Sequence, residues 1–211
     1  DIDKGKKVYV GEINMLGNIK TKDNVIRREF RLKEGEVFDG FKLKRSKQRI
    51  NNLNYFEDVK IDTQRGEDPD LIDILTTVTE KPTGTFQVGA GFSSVENLIF
   101  TTSIAQNNLF GNGHRVNVTA SLSSIRTNFN VSVTEPRLFD STISLGLDAF
   151  NTDQDFLSFS SRTSGGGFRL GKNITEYESV FLGYRYNSVK TRGVSAVDET
   201  AFMFNGARTT S

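Results

Sequence analysis

One sequence feature constrains the fold more than any other: from residue 85 onward, apolar and polar residues alternate in one run after another. The apolar positions of the first run, residues 85–93, are Phe86, Val88, Ala90 and Phe92. Successive side chains of a β-strand point to opposite faces, so this alternation predicts a sheet with one apolar and one polar face. A tilted strand of roughly 9–11 residues crosses the hydrocarbon core of a bilayer. The pattern therefore predicts an antiparallel transmembrane β-barrel, or part of one.

Further runs of the same kind extend the predicted sheet. Clear alternation recurs over residues 116–122, 127–134, 143–149 and 180–186, and weaker alternation over 97–106, 162–170 and 200–208. With the first run, these give about eight strands. The predicted turns are 94–97 on one side of the sheet and 107–113, 135–140 and 171–176 on the other. Arg115, Arg126, Arg169 and Arg185 fall on the polar face, where they would line a wet barrel interior.

Charge divides the chain near Gly84. Residues 1–84 contain 17 Lys or Arg and 16 Asp or Glu, whereas residues 85–211 contain 10 of each class. Only two lysines, Lys172 and Lys190, follow Gly84. We therefore expect the first region to lie in water and the second in an environment that penalises charge. The net charge of +1, with no basic stripe, argues against a nucleic-acid partner.

The region before Gly84 predicts a small α+β domain of order β-α-α-β-β. Its strands are predicted over residues 8–14, 55–61 and 71–80. Thr21 or Asp23 is the predicted N-cap of a first helix, and Asp39 opens a second. The apolar stripe of the first helix is Val25, Ile26, Phe30 and Leu32, and residues 34–36 end it.

Five fragments in this order resemble a POTRA domain. They are residues 8–18 followed by Thr21, the run Ile26-Arg27-Arg28-Glu29, Glu34-Gly35, Leu53-Asn54-Tyr55-Phe56 with Val59, and the strand ending in Glu80. With the strands that follow, the chain is similar to the last POTRA domain and first barrel strands of BamA-type proteins of the Omp85 superfamily. In the second region, Asn-Leu-Phe-Gly-Asn-Gly at 108–113 and Thr134-Glu135-Pro136 match most specifically. The resemblance divides the chain into a POTRA domain, residues 1–83, and the N-terminal part of a barrel, residues 84–211.

The resemblance implies a non-enzymatic function: assembly and insertion of β-barrel proteins in the outer membrane of a Gram-negative bacterium. Residues 1–83 would then be periplasmic. The implied partners are unfolded outer-membrane proteins as substrates, periplasmic lipoprotein subunits and outer-membrane lipid. The first barrel strand would form a lateral gate, with the residues Phe86, Val88, Gly89, Ala90, Gly91 and Phe92. Gly89 and Gly91 would weaken this strand, unless they instead provide space for side chains that fill the barrel.

The resemblance also implies a contact with a lipoprotein subunit through Arg27, Arg28 and Glu34. The alternative for these charges is an ordinary solvated helix face. The family's barrel has about twice as many strands, and its VRG-plus-aromatic motif is absent here, because no aromatic residue follows Gly193. We therefore expect the chain to be a fragment of a longer protein.

The sequence offers little for other chemistry. It contains no cysteine and a single histidine, His114, which argues against a metal site or a catalytic triad. Residues 166–172 fit most of a phosphate-binding loop, but Asn173 stands where Ser or Thr would bind magnesium. No run of 18 apolar residues exists, so an ordinary transmembrane helix is excluded. No cofactor is expected.

Two alternative functions stay open at this point. One is a related POTRA-containing barrel that secretes a partner protein across the outer membrane. The other is a soluble β-sandwich with a small α+β module, acting as a hydrolase or lectin.

Overall fold

The computed structural model of the chain describes residues 7–175, 178–193 and 208–209. The chain forms two compact units. The first unit comprises the chain up to Thr83 together with residues 108–113, and the second comprises residues 84–107 and the chain from His114 onward. The chain thus leaves the first unit after Thr83 and returns to it briefly, which the sequence did not predict.

The first unit has the predicted order β-α-α-β-β. Its elements are β1 (Tyr9–Leu16), α1 (Asp23–Arg27), α2 (Gly40–Asn52), β2 (Phe56–Arg65) and β3 (Leu71–Glu80). The strands form one sheet of order β1-β3-β2, in which β1 is parallel and β2 antiparallel to β3. Strand β3 is therefore central, and β1 and β2 are the two edges.

Apolar side chains from both helices cover one face of this sheet. Val25 and Ile26 of α1 and Ile50 of α2 are fully buried against Val59 and Val78 of the sheet. Asp39 caps α2, because its carboxylate accepts hydrogen bonds from the N–H groups of Phe41 and Lys42. The predicted start of the second helix is confirmed.

Helix α1 is shorter than predicted and begins differently. It ends at Arg27, so the prediction that it continues to residue 32 was wrong. Leu32 is nevertheless buried, in the cluster that contains Val10 and Ile74. The N-cap is Lys22, with no side-chain cap hydrogen bond, so neither Thr21 nor Asp23 fills that position. The short helix is stabilised by burial of its apolar residues rather than by its own length.

Strand β1 contains an irregularity that orients its buried residues. Its register with β3 shifts between Val10 and Ile13. Both residues are buried, although their odd spacing would place them on opposite faces of a regular strand. The shift therefore allows both side chains to enter the core.

The second unit contains seven consecutive antiparallel strands. They are β4 (Gly84–Ser93), β5 (Asn97–Leu109), β6 (His114–Leu122), β7 (Arg126–Glu135), β8 (Ile143–Asp155), β9 (Ser160–Asn173) and β10 (Ser179–Arg192). Each strand pairs with its neighbours in the sequence, and a short 3₁₀ helix (Leu138–Asp140) connects β7 to β8. The seven strands confirm seven of the eight predicted runs. The eighth, residues 200–208, lies outside the described residues except Arg208, where β11 (Arg208–Thr209) pairs in parallel with β10.

The pairing extends the predicted apolar face across the sheet, because residues directly opposite each other in adjacent strands share a face. One cross-strand row consists of Val133, Leu147, Phe168 and Tyr184, and a second of Val131, Ala149, Gly166 and Tyr186. The opposite face carries Arg169, which forms an ion pair with Asp148 at 3.1 Å, and Arg185, which lies over the Phe150 ring at 5.3 Å. One face is apolar and the other polar, as predicted.

Several strands are longer than predicted. Strand β8 has 13 residues, and β9 and β10 have 14 each. The extra residues are mostly polar, so the alternation that identifies a membrane strand fades before the ladder ends. Residues 171–173, predicted as part of a turn, belong to β9. Among the residues that the structure describes, no helix is long and apolar enough to cross a membrane.

Candidate functional site

Strand β4 contains the predicted gate residues and lies at one end of its sheet. It pairs with β5 over its whole length, from Gly84–Gln106 to Ser93–Asn97. Over the described part of the chain, its other side has no paired strand. A strand edge of this kind presents a row of N–H and C=O groups without partners in the sheet.

The apolar side chains of β4 are strongly exposed. Phe86 is 68% exposed, Val88 67% and Phe92 78%. They lie opposite Ile104, Thr102 and Leu98 of β5, respectively. An exposed, continuous apolar surface of this kind is typical of a protein that faces lipid or another protein.

The two central glycines of β4 lie in open surroundings. A Cβ atom added to Gly89 or Gly91 would meet no atom within 4 Å in the described residues. Other strand glycines differ: a Cβ at Gly165 would lie 2.2 Å from the Tyr186 carbonyl oxygen and 2.8 Å from the Phe150 ring. Gly165 thus fits its packing, whereas no described neighbour requires a glycine in β4. The predicted role of Gly89 and Gly91 in a weak first strand stays a prediction.

In the first unit, Arg27 and Glu34 are brought together at the outer edge of β1. Arg27 Nη1 lies 2.8 Å from Glu34 Oε1, and both side chains are about half exposed. The pair also binds one residue of the strand: Ile13 N–H donates to Glu34 Oε1 at 3.2 Å, and Arg27 Nη2 donates to the Ile13 carbonyl at 2.9 Å. The two side chains therefore satisfy both edge groups of Ile13.

The same edge is covered further along by main chain. Val10 N–H donates to the Glu36 carbonyl, Gly35 N–H to the Val10 carbonyl and Phe38 N–H to the Val8 carbonyl, each at 2.8 Å. Much of the β1 edge is thus protected. No covering segment of this kind is observed along β2 in the described residues.

The electrostatics of Glu34 follow from this geometry. The hydrogen bond from Arg27 lowers the pKa of the Glu34 carboxyl below its ordinary value, and the Ile13 N–H lowers it further. The carboxylate form is therefore favoured. Charge on this residue helps to hold the β1 edge.

Arg28, the third residue of the predicted lipoprotein contact, lies elsewhere. It borders Gly113, where an added Cβ would lie 2.6 Å from Arg28 Nη2. The structure therefore brings Arg27 and Glu34 together but places Arg28 against residues 108–113.

Residues 108–113 form a polar network in the first unit that the sequence did not predict. Asn108 Nδ2 donates to Thr21 Oγ1 at 2.9 Å, and Asn108 Oδ1 accepts from Gly113 N–H at 2.8 Å. Lys22 N–H donates to the Gly111 carbonyl at 3.0 Å, and the Tyr55 hydroxyl to the Gly113 carbonyl at 3.3 Å. The Asn-Leu-Phe-Gly-Asn-Gly motif was the available signal, although it indicated a turn and not its contacts.

Glu80 extends this network, because it binds the backbone of Thr21 and of the adjacent Lys20. It accepts from Thr21 N–H at 2.6 Å and from Lys20 N–H at 2.9 Å. Burial acts to raise the pKa of the Glu80 carboxyl, but the hydrogen bonds from Thr21 and Lys20 outweigh it and lower the pKa overall.

The alternative chemical motifs have structural explanations. His114 Nε2 contacts Glu135 Oε2, and no group of residues suited to hold a metal ion occurs in the described part of the chain. The run 166–172 lies within β9 and not at a strand-to-helix turn, so it lacks the context of a phosphate-binding loop. A β-sandwich is also contradicted, because β4 to β10 form a single sheet in sequence order.

Comparisons with known families match both regions. Residues 8–81 match the family model described as "POTRA: Surface antigen variable number repeat". Residues 108–208 match the one described as "Omp85 superfamily domain". The two matches together include most of the described strands of both units.

Among curated proteins, the chain is similar to the outer membrane protein assembly factor BamA of Nitratidesulfovibrio vulgaris, with 36% identity over 87% of the chain. It is 35% identical to BamA of Neisseria meningitidis over 86% of the chain. The chain spans only 23% and 24% of the length of these two relatives.

Solved structures give the same result for the fold. The crystal structure of BamA from Haemophilus ducreyi lacking POTRA domains 1–3 superposes with a TM-score of 0.80 at 29% identity, over 95% of this chain and 40% of that one. CdiB from Acinetobacter baumannii has a TM-score of 0.62 at 14% identity, over 88% of this chain and 38% of that one, which shows similarity of fold alone.

Proposed function

Because this chain belongs to the Omp85 superfamily, as an outer-membrane protein with a periplasmic POTRA domain, we propose that it takes part in assembling and inserting β-barrel proteins. We assign residues 1–83 to the periplasmic domain and residues 84–211 to the N-terminal part of the barrel. Within the second range, residues 108–113 form a turn that belongs to the first compact unit. The names of the relatives, outer membrane protein assembly factors, support this function and a non-enzymatic role.

The observation that carries the proposal is the edge position of β4. This strand follows the POTRA domain directly in the sequence. Among the residues that the structure describes, no strand pairs with its side opposite β5, so that side offers backbone groups to an incoming strand. A bare N–H or C=O group in lipid costs several kcal/mol, so a strand that enters the bilayer already paired avoids most of that cost. In this mechanism β4 templates the first hydrogen bonds of the substrate, and its apolar face contacts lipid.

The POTRA domain supplies a second sheet edge. The β1 edge is covered by Arg27, Glu34 and residues 35–38, whereas β2 lies at the other end of the sheet. We therefore propose that unfolded outer-membrane proteins add a strand to β2 by β-augmentation in the periplasm. The substrate would then be transferred from β2 to β4 in extended form.

Cross-linking along β4 tests the templating step. The chain has no cysteine, so single cysteines at Gln87 and Gly89 can be compared in the full-length protein after replacement of any cysteine elsewhere. We expect both to form disulfides with cysteines in a stalled substrate strand. A cysteine at Asn130, in the centre of the sheet on β7, is the matched control and should not react. Equal cross-linking at all three positions would overturn the proposal.

We also propose that Arg27 and Glu34 contact a periplasmic lipoprotein subunit. Their ion pair is half exposed and by itself contributes about 1 kcal/mol or less. A reversal of the charges, Arg27→Glu with Glu34→Arg, also removes the two hydrogen bonds to Ile13, so hydrogen exchange of the first unit verifies that the variant is folded. Co-purification of the subunit should be lost. The same reversal at the exposed pair Asp58 and Lys60 is the control. Undiminished co-purification after the first reversal would contradict this contact.

The alternative of secreting a partner protein receives support from the fold only. The CdiB structures are 14% and 16% identical to this chain, and no residue contact distinguishes that function here.

A further inference from the structure

A row of charged residues crosses the apolar face of the second unit near one end of its strands. Asp153 of β8, Arg162 of β9 and Lys190 of β10 lie directly opposite one another in the ladder. Arg192 lies in the next row, opposite Ser160. By the alternation of the strands, these positions share the face of Phe168 and the other apolar rows.

Two cations at this end of the strands, Lys190 and Arg192, are available to a ligand. Arg162 Nε donates to Asp153 Oδ2 at 2.8 Å, so the Arg162 charge is partly compensated. Lys190 and Arg192 form no ion pair with any residue that the structure describes, and both are exposed. Together with Arg162, they border an open hollow of about 340 Å³. A smaller number of acidic residues, Asp153 and Asp155, borders the same hollow.

The charged row lies where one boundary of the hydrocarbon layer of a membrane is expected. Lys172 lies on the same face of β9 as Arg162, ten residues further along the strand. Ten residues of strand extend about 33 Å, which corresponds to an apolar band about 25 Å tall after allowance for tilt. Leu170, Phe168 and Gly166 occupy the interval on that face. Charges therefore bracket the apolar segment at both ends.

The chain order identifies the end that carries Arg162. Strands β4 and β5 begin and end beside the periplasmic residues in the sequence, at Gly84 and Leu109. The ends near Asp155, Ser160 and Arg192 are the opposite ones in the antiparallel ladder. Arg162, Lys190 and Arg192 therefore lie at the outer leaflet. This assignment rests on the proposed placement of the chain in the outer membrane.

We propose that Arg162, Lys190 and Arg192 form a binding site for the phosphate groups of an outer-leaflet glycolipid, whose acyl chains lie along the apolar rows of β8 to β10. Guanidinium and ammonium groups complement phosphate by charge and by hydrogen bonding. The apolar rows directly beside them fit acyl chains, which a free phosphate ion lacks. Charge and apolar surface together thus select an anionic lipid.

Binding of diphosphorylated lipid A to the full-length protein in neutral detergent, followed by native mass spectrometry, tests the site. The double substitution Lys190→Gln and Arg192→Gln should weaken binding roughly tenfold or more, since each basic residue near an anionic membrane surface strengthens binding roughly fivefold. Lys172→Gln is the matched control, on the same face at the other rim, and should bind like the unsubstituted protein. Heat-modifiable gel migration verifies that each variant is folded.

Three results would overturn the proposal. The first is undiminished binding of lipid A by the double variant, and the second is equally tight binding of dephosphorylated lipid A by the unsubstituted protein. The third is displacement of lipid A by inorganic phosphate that binds as tightly as the lipid does. Substrate insertion into vesicles, measured in parallel, separates this site from the proposed function. Lipid binding through these residues without insertion would contradict only the assembly function. Insertion without such binding would contradict only the lipid site.

Discussion

Asn108 Nδ2 donates a hydrogen bond to Thr21 Oγ1 at 2.9 Å, although 87 positions separate the two residues in the chain. Asn108 is only 7% exposed, and its amide oxygen accepts from Gly113 N–H. Thr21 is in turn held by Glu80. A single buried amide therefore joins residues 108–113 to the loop before α1.

We predict that Asn108→Ala destabilises the first unit. The substitution leaves the Gly113 N–H and the Thr21 hydroxyl without this partner, and an unsatisfied buried group costs about 1–3 kcal/mol. Hydrogen exchange of the Gly113 and Thr21 amides in the full-length protein should accelerate accordingly. Asn107→Ala, at the exposed neighbouring position, is the control and should leave both rates unchanged. Unchanged exchange in Asn108→Ala would show that the network is not important for stability.

Gly111 permits the closest approach in this network. Its φ is +72°, and a Cβ there would lie 1.8 Å from the Lys20 carbonyl oxygen. Gly111→Ala is therefore expected to break the hydrogen bond from Lys22 N–H as well as to strain the backbone. Gly35→Ala is the matched control, because Gly35 also has a positive φ, +83°, but no atom within 4 Å of an added Cβ.

Strain alone costs roughly 1–2 kcal/mol at such a position, so Gly35→Ala measures this part by urea unfolding. Gly111→Ala should cost clearly more. Equal losses in the two variants would indicate that the contact with Lys20 relaxes freely.

Low pH is predicted to destabilise the first unit by protonating Glu34 and Glu80. Their pKa values are lowered in the folded state, Glu34 by Arg27 and Ile13, and Glu80 by Thr21 and Lys20 against the opposing effect of burial. Both carboxylates thus stabilise the fold above the unfolded-state pKa, and this contribution is lost as the pH falls through the lower folded-state value. Denaturant midpoints should therefore fall on acidification.

Glu80→Gln isolates one part of this dependence. It should lower stability at neutral pH and flatten the decline as the pH falls through the lowered pKa of this carboxyl. Glu57→Gln, on the exposed side of β2, is the control and should leave stability at neutral pH unaltered. If the profile of Glu80→Gln paralleled that of the unsubstituted protein, Glu80 would not be a source of the acid sensitivity.

The parts of the fold that the sequence predicted depend on local or periodic signals. Asp39 caps α2 through its own neighbours, Phe41 and Lys42, so the signal and the contact lie together. The alternation around Phe86 likewise reports a face directly, because the period of a strand is fixed by its geometry. Strand existence, face and order followed from these patterns.

The parts that the sequence missed depend on distant partners. Thr21 looks like an N-cap by its position before α1, but its hydroxyl bonds to Asn108 instead. Helix α1 ends early, and Glu29 beyond it is buried in an ion pair with Arg49 of α2 at 2.7 Å. At the candidate site, the edge position of β4 was predictable from the strand order. The hydrogen bonds of Arg27 and Glu34 to Ile13 were not, because they join residues 14 and 21 positions apart in the chain.

The glycines of the sheet provide the last prediction. Gly165→Ala should reduce folding of the full-length barrel, because the new methyl group would meet the Tyr186 carbonyl and the Phe150 ring. Gly89→Ala meets no described atom, so the folded fraction, measured by heat-modifiable migration, should be unchanged. If Gly89 serves a weak first strand, Gly89→Ala should nevertheless slow substrate insertion, since alanine restricts the backbone of β4. Normal insertion by a folded Gly89→Ala protein would remove Gly89 from the proposed gate and leave the edge position of β4 as its remaining support.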